Sequence, residues 1–149
     1  MMRFDWPVRV YYDDTDGGGV VYHANYLRFM ERARTEWLRS LGFEQTELKS
    51  ELGVIFVVRA VTLQYKRAAA FNDALDVATL LTRVGRSLLV FEQKIYRHQQ
   101  IMTEAEVEVV CVNAADFKPA SIPPSVRRMI EAGMRETPSK KSKQIMESE

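Results

Sequence analysis

Three carboxylates and three glycines fall in the run Asp13-Asp14-Thr15-Asp16-Gly17-Gly18-Gly19, and His23 follows Asp16 by seven residues. A carboxylate can take a proton from water or attack an electrophilic carbon, and glycines let a second molecule approach the main chain. Immediately after this run, around Tyr22-His23-Ala24-Asn25-Tyr26, a strongly patterned helix begins. A helix start offers unpaired N–H groups and a partial positive charge, which is what an oxyanion formed during acyl transfer requires. Carboxylate and oxyanion donors in one short stretch point to acyl chemistry.

The helix that would position them is legible from spacing. Tyr26, Phe29, Met30, Ala33, Trp37, Leu38 and Leu41 share one face, Arg28, Glu31, Arg32, Arg34, Glu36 and Arg39 lie mostly elsewhere, and Gly42 stands where a helix ends. Downstream the period changes to two. In Thr103–Val112, Ala105, Val107, Val109 and Cys111 alternate with Glu104, Glu106 and Glu108, the pattern of a strand with one buried face. Val57–Lys66 reads similarly, with Val57, Val61, Leu63 and Tyr65 on the apolar side, although Arg59 falls among them. Leu75–Val84 and Leu88–Arg97 are extended segments joined by a Gly85-Arg86-Ser87 turn, and Val8–Tyr12 supplies a further strand. One strand, one long helix and then a run of strands predict an α+β fold with an antiparallel sheet of about five strands around a single helix. Pro123-Pro124-Ser125 opens a short C-terminal helix containing Met129 and Ile130. Residues 1–137 are expected to form one domain, and residues 138–149 a polar, disordered tail.

Composition narrows the function. A chain of 149 residues that is 46% apolar suffices for one core. The formal charge of +1 removes the basic excess that nucleic-acid binding needs, so no nucleic-acid partner is expected. The single cysteine, Cys111, cannot form an internal disulfide, and Met1–Pro7 lacks the apolar stretch of a signal peptide. No apolar run is long enough for an integral membrane segment, so the expected address is cytoplasmic.

The run Tyr12–Tyr26, followed by Phe29-Met30-Glu31-Arg32-Ala33-Arg34-Thr35-Glu36, closely resembles the tol-pal-associated acyl-CoA thioesterases, in the 4-hydroxybenzoyl-CoA thioesterase-like branch of the hotdog-fold superfamily. The resemblance continues through Phe56-Val57-Val58-Arg59 and Glu104–Val112 to Lys118-Pro119, most of the chain apart from the tail. It implies a helix wrapped in an antiparallel sheet, homodimers or homotetramers that join sheets edge to edge, and active sites between protomers. It also implies that the second Asp of the Asp-x-Asp pair, here Asp16, is the catalytic carboxylate. Backbone N–H groups at the helix start would polarise the thioester carbonyl, which points to His23 and its neighbours. Substrate contacts are expected at Gly19, Val20, Tyr22 and Ala24. Gly17 is a departure, since alanine is common there among relatives. The substrate would be an acyl-CoA or an acyl group on acyl carrier protein, hydrolysed without metal or redox cofactor.

Each residue has another reading. Asp13, Asp14 and Asp16 are ordinary turn residues beside glycine, and Asp14 is read as capping or bonding the turn. Asp14-Thr15-Asp16-Gly17 imitates the middle of a calcium loop, yet Tyr12 and His23 occupy the end positions where that motif wants Asp and Glu. His23 either positions substrate or water with its ring or contributes only its N–H. Cys111 is expected to be inert within a strand. Lys66, Arg67, Arg59, Arg83 and Arg86 could meet the phosphates of coenzyme A, but each reads more readily as a solvated surface charge, and none is assigned. No Gly-x-Ser-x-Gly elbow is present. Two other functions compete with hydrolysis. Hotdog hydratases are implied to carry Asp and His five residues apart, against seven here, and a non-enzymatic acyl-CoA or acyl-carrier-protein binder would dispense with the acid that Asp16 supplies.

Overall fold

A computed structural model describes residues 3–135; the expected tail at 138–149 lies outside the described residues. Strand β1 (Arg3–Arg9) leads through a single 3-10 turn (Tyr12–Asp14) to α1 (Asn25–Ser40), then to a short α2 (Gln45–Glu47) that continues as a π turn (Leu48–Leu52). Strands β2 (Val54–Tyr65), β3 (Ala74–Val84), β4 (Leu88–Arg97) and β5 (Gln100–Asn113) follow, and α3 (Pro124–Arg135) closes the described chain. All five strands form one antiparallel sheet in the order β1-β3-β4-β5-β2. A long helix lying against such a sheet is the hotdog arrangement, α+β as the sequence predicts.

The helix buries the face that its spacing selects. Tyr26, Phe29, Met30, Ala33 and Leu38 are buried, Trp37 and Leu41 partly so, and they meet Leu75, Val77, Leu89, Phe91, Ile95 and Val107 of the sheet. Trp37 stands edge-on to Phe91 with ring centroids 5.1 Å apart. Gly42 takes φ +98, while its N–H donates to the Arg39 carbonyl at 2.8 Å and the Phe43 N–H to that of Leu38 at 3.2 Å. This pair of bonds is the Schellman ending that glycine permits. Pro124 begins α3, where its missing N–H costs nothing.

Two strand expectations are corrected. The first strand is Arg3–Arg9, so Tyr11 and Tyr12 lie outside it. It is an edge strand, and Pro7 sits within it because an edge tolerates the missing donor. In β2 a bulge between Val58 and Ala60 reverses the alternation. Phe56 and Val58 therefore pair with the buried Cys111 and Val109, whereas Val57 pairs with Val110. Beyond the bulge Val61, Leu63 and Tyr65 pair with Val107, Ala105 and Thr103, on the core face. Arg59, anomalous under a strict period of two, is the bulged residue, and its Nε donates to Glu108 Oε1 at 3.0 Å. The helical segment Gln45–Leu52 has no counterpart in the sequence reading.

Candidate active site

The acidic run folds as a turn with a buried floor and an exposed lip. Asp14 forms the floor: its Oδ2 accepts the Tyr11 N–H at 2.8 Å, its Oδ1 accepts Asn25 Nδ2 at 2.8 Å, and its carbonyl accepts the Tyr22 N–H at 2.9 Å. The turn is thereby tied to the first residue of α1. Above it Thr15 and Val21 pair as a short bridge, Asp16 N–H donates to the Val20 carbonyl at 2.8 Å, and Gly17-Gly18-Gly19 makes the tip. Only Gly19 of the three takes positive φ, +84. Gly18 donates its N–H to Asp16 Oδ1 at 2.7 Å, and a Cβ there would sit 3.2 Å from that oxygen. A Cβ on Gly17 would meet open space, so an alanine there would fit this turn.

Asp16 is exposed and lines an open groove of about 340 Å³. Val20, Val21, His23 and Tyr26 come from its own end of the chain, and Tyr65, Lys66, Arg67 and Ala68 from the end of β2 and the loop beyond. One carboxylate oxygen of Asp16 is held by Gly18, and the other makes no hydrogen bond among the described residues. At the helix start the Asn25 N–H donates to the Tyr22 carbonyl at 2.8 Å and the Leu27 N–H to that of Ala24 at 3.2 Å. The N–H groups of His23 and Ala24 make no hydrogen bond among the described residues, so two main-chain donors remain open at the positive end of α1.

The His23 ring is exposed and makes no side-chain hydrogen bond among the described residues; it lies against Tyr22, centroids 4.4 Å apart, and edge-on to Tyr65 at 6.5 Å. Tyr65 Oη donates to the His23 carbonyl at 2.9 Å, which braces the peptide next to the open donors. Tyr26 is buried beneath, its Oη accepting the Ala69 N–H at 3.0 Å, and burial pushes its phenol above the ordinary range.

Of the residues named from the sequence, Asp16, Val20 and His23 converge on the groove. Gly19, Tyr22 and Ala24 do not line it. The Gly19 N–H is taken by the Asp16 carbonyl at 3.2 Å and the Tyr22 N–H by Asp14, which leaves Ala24 with an open N–H. Tyr65, Lys66 and Arg67 belong to the groove although the sequence reading placed Tyr65 on a strand face and left the two cations unassigned. Lys66 Nζ is 3.7 Å from Glu104 Oε2, and the Arg67 side chain has no partner among the described residues. Cys111 is buried away from the groove, and burial pushes its thiol up to about 11. Among the described residues no group of three or more His, Cys, Asp or Glu is set to hold a metal ion, and no helix is long and apolar enough to cross a membrane.

This geometry has relatives. Residues 10–130 match the thioesterase-like superfamily. The chain is 49% identical to the acyl-CoA thioester hydrolase YbgC of Escherichia coli O6:H1 over 124 residues, covering 83% of this chain and 92% of that one. It is 46% identical to the acyl-CoA thioesterase YbgC of Haemophilus influenzae, again over 83% of this chain and 91% of the relative. A crystal structure of a probable thioesterase from Bartonella henselae superposes with a TM-score of 0.79 at 37% identity, covering 82% of this chain and all of that one. The acidic turn, α1 and strands β2 to β5 fall inside the matched residues 10–130, and the chain belongs to the thioesterase-like superfamily.

Proposed function

We propose that this protein hydrolyses an acyl-CoA thioester to the free acid and coenzyme A. The observation that carries the reading is the pairing, in one groove, of the uncommitted Asp16 oxygen with the open N–H groups of His23 and Ala24. The thioester carbonyl oxygen is held by those N–H groups, which gain most as negative charge develops on it. Asp16 activates water as a general base or adds directly to the carbonyl carbon to give a short-lived anhydride that water opens. Either way the thiolate of coenzyme A leaves, and no bound metal or redox group takes part. Lys66 and Arg67 at the groove margin suit the coenzyme's phosphates; acyl carrier protein, whose prosthetic group ends in the same thioester, is the other donor. A tol-pal association, carried by the sequence resemblance, and a cytoplasmic address, carried by the lack of a membrane-length apolar run, belong to the same reading.

The protein is read as a homodimer, alone or paired into a tetramer, joined along β2. Of the two sheet edges, β1 is blunted by Pro7, whereas β2 runs for 12 residues with Val58, Val61 and Tyr65 exposed at 48%, 39% and 51%. A long apolar edge is protected most simply by pairing. Sedimentation should find a dimer or tetramer at micromolar concentration; a fully active monomer would remove the shared site.

The deciding assay is free-thiol release from a panel of acyl-CoAs and acyl-carrier-protein thioesters. Turnover on at least one thioester is expected. Binding of coenzyme A esters without turnover on any of them would convert the reading into that of a carrier.

A further inference from the structure

A second groove, of about 290 Å³, lies between α1 and the sheet and shares no lining residue with the Asp16 groove. Its size is near the lower end of ordinary small-molecule sites. Trp37 and Leu38 of α1, Phe56 and Val58 of β2, and Phe91 and Val109 of the sheet give it apolar walls. Arg34 also lines it. Among the described residues, the only hydrogen bond of that side chain runs from Nη1 to Gln93 Oε1 at 2.8 Å. Gln93 is fully buried and cannot swing away, because its Nε2 donates to the Met30 carbonyl at 3.0 Å and to Thr79 Oγ1 at 2.9 Å.

The arrangement is unusual for a cation drawn out of water. Desolvation of a guanidinium is normally compensated by a carboxylate that takes two of its N–H groups. Here one neutral amide oxygen serves a single donor, and no carboxylate among the described residues is within ion-pair distance of Arg34. Glu31, exposed on the same wall, acts on Arg34 only through its field, and burial holds the guanidinium below its ordinary pKa. A cation with no ion-pair partner among the described residues, set beside the apolar wall of Trp37, Leu38, Phe56, Phe91 and Val109 in a groove that Glu31, Thr35 and Gln45 also line, is complementary to an apolar anion.

We propose that this groove binds a small apolar carboxylate, its tail against Trp37, Phe56 and Phe91 and its carboxylate paired with Arg34. Two sources carry that chemistry. One is the distal end of an acyl group under hydrolysis, which rests on the thioesterase reading above; the other is a free carboxylic acid, which does not.

Trp37 provides the readout in a Trp6→Phe background, where it is the only tryptophan. Octanoate and its neutral isostere octanamide are titrated against this protein by fluorescence and calorimetry. Octanoate should bind about tenfold tighter or better, the scale of a charge-assisted contact, and Arg34→Met should bring the two together. Equal binding of the two by the parent protein overturns the proposal, and that comparison stands whether or not the variant folds. Discrimination that survives Arg34→Met overturns it as well. To separate the sources, hydrolysis of suberyl-CoA is compared with that of octanoyl-CoA. A preference for the ω-carboxyl substrate that disappears in Arg34→Met assigns the substrate's far end, and octanoate binding without that preference assigns the free acid. If neither ester is hydrolysed, the thioesterase reading is decided by the wider thioester panel above and the octanoate titration still decides the site. Dissociation of the oligomer in Arg34→Met, with octanoate and octanamide indistinguishable on the parent, would give Arg34 to a contact between copies and overturn the proposal.

Discussion

Asp14 and Asp16 stand two residues apart in one turn, yet their surroundings differ in every respect that matters to chemistry. Asp14 is buried and both its oxygens are consumed, one by the Tyr11 N–H and one by the Asn25 side chain. Asp16 is exposed at the lip, with one oxygen held by Gly18 and the other open to the groove. A buried carboxylate with both oxygens engaged stabilises a fold and presents no free oxygen to a substrate; a half-bonded, exposed one is oriented and still has an oxygen to use. The lesson is that proximity in sequence says little about role, and that what each oxygen is bonded to says much more.

The comparison breaks most directly at Asp16. Asn has nearly the same size and keeps an oxygen for the Gly18 N–H, so Asp16→Asn should leave the melting temperature nearly unchanged while thioester turnover falls by about three orders of magnitude. The loss should appear in kcat far more than in KM, since the open helix start and the groove walls are untouched. A folded variant keeping a tenth of the activity would move the chemistry elsewhere.

Asp14→Ala tests the other side. It leaves the Tyr11 N–H and the Asn25 amide without their acceptor, a cost of about 2 kcal/mol, and the melting temperature should fall by roughly 5 °C. Activity should drop by about tenfold as the turn loosens from α1, far less than for Asp16→Asn. A thermally unchanged, inactive Asp14→Ala would exchange the two roles.

His23→Ala sharpens the picture at the helix start. The ring makes no hydrogen bond among the described residues and the open N–H survives the substitution, so turnover is expected within about tenfold of the parent. Loss of about 100-fold or more, the scale of a missing oxyanion donor or general acid, would give the side chain a direct part. Tyr65→Phe removes only the brace on the His23 carbonyl and should cost about threefold in kcat with an unaltered fold, consistent with one exposed hydrogen bond. A larger loss in KM than in kcat would make the Tyr65 hydroxyl a substrate contact instead.

Local features carried much of this protein in the sequence. The buried stripe of α1, its glycine ending, the strand β5 and the Gly85-Arg86-Ser87 turn each follow from side-chain period or cap chemistry within a few residues, and all four are found as expected, with Gly85 N–H donating to the Leu88 carbonyl at 2.7 Å. Asp16 and His23 stood out because carboxylate, glycine and helix start were contiguous. Other features depended on residues far apart. The bulge at Arg59 sets which side chains of β2 face the core, and it shows only when β2 is laid beside β5. Tyr65 reaches a carbonyl 42 residues earlier in the chain, and Arg34 meets Gln93 across 59. Sequence by itself determined the long helix, the last three strands and the acidic turn, though not Gln45–Leu52 or the bounds of the first strand, because backbone propensity and periodicity act over one or two turns of chain. Tertiary structure alone decided which groups Asp14 is bonded to, which cation was left unpaired and what walls the grooves, because those outcomes depend on desolvation and hydrogen-bond partners that only packing brings within reach.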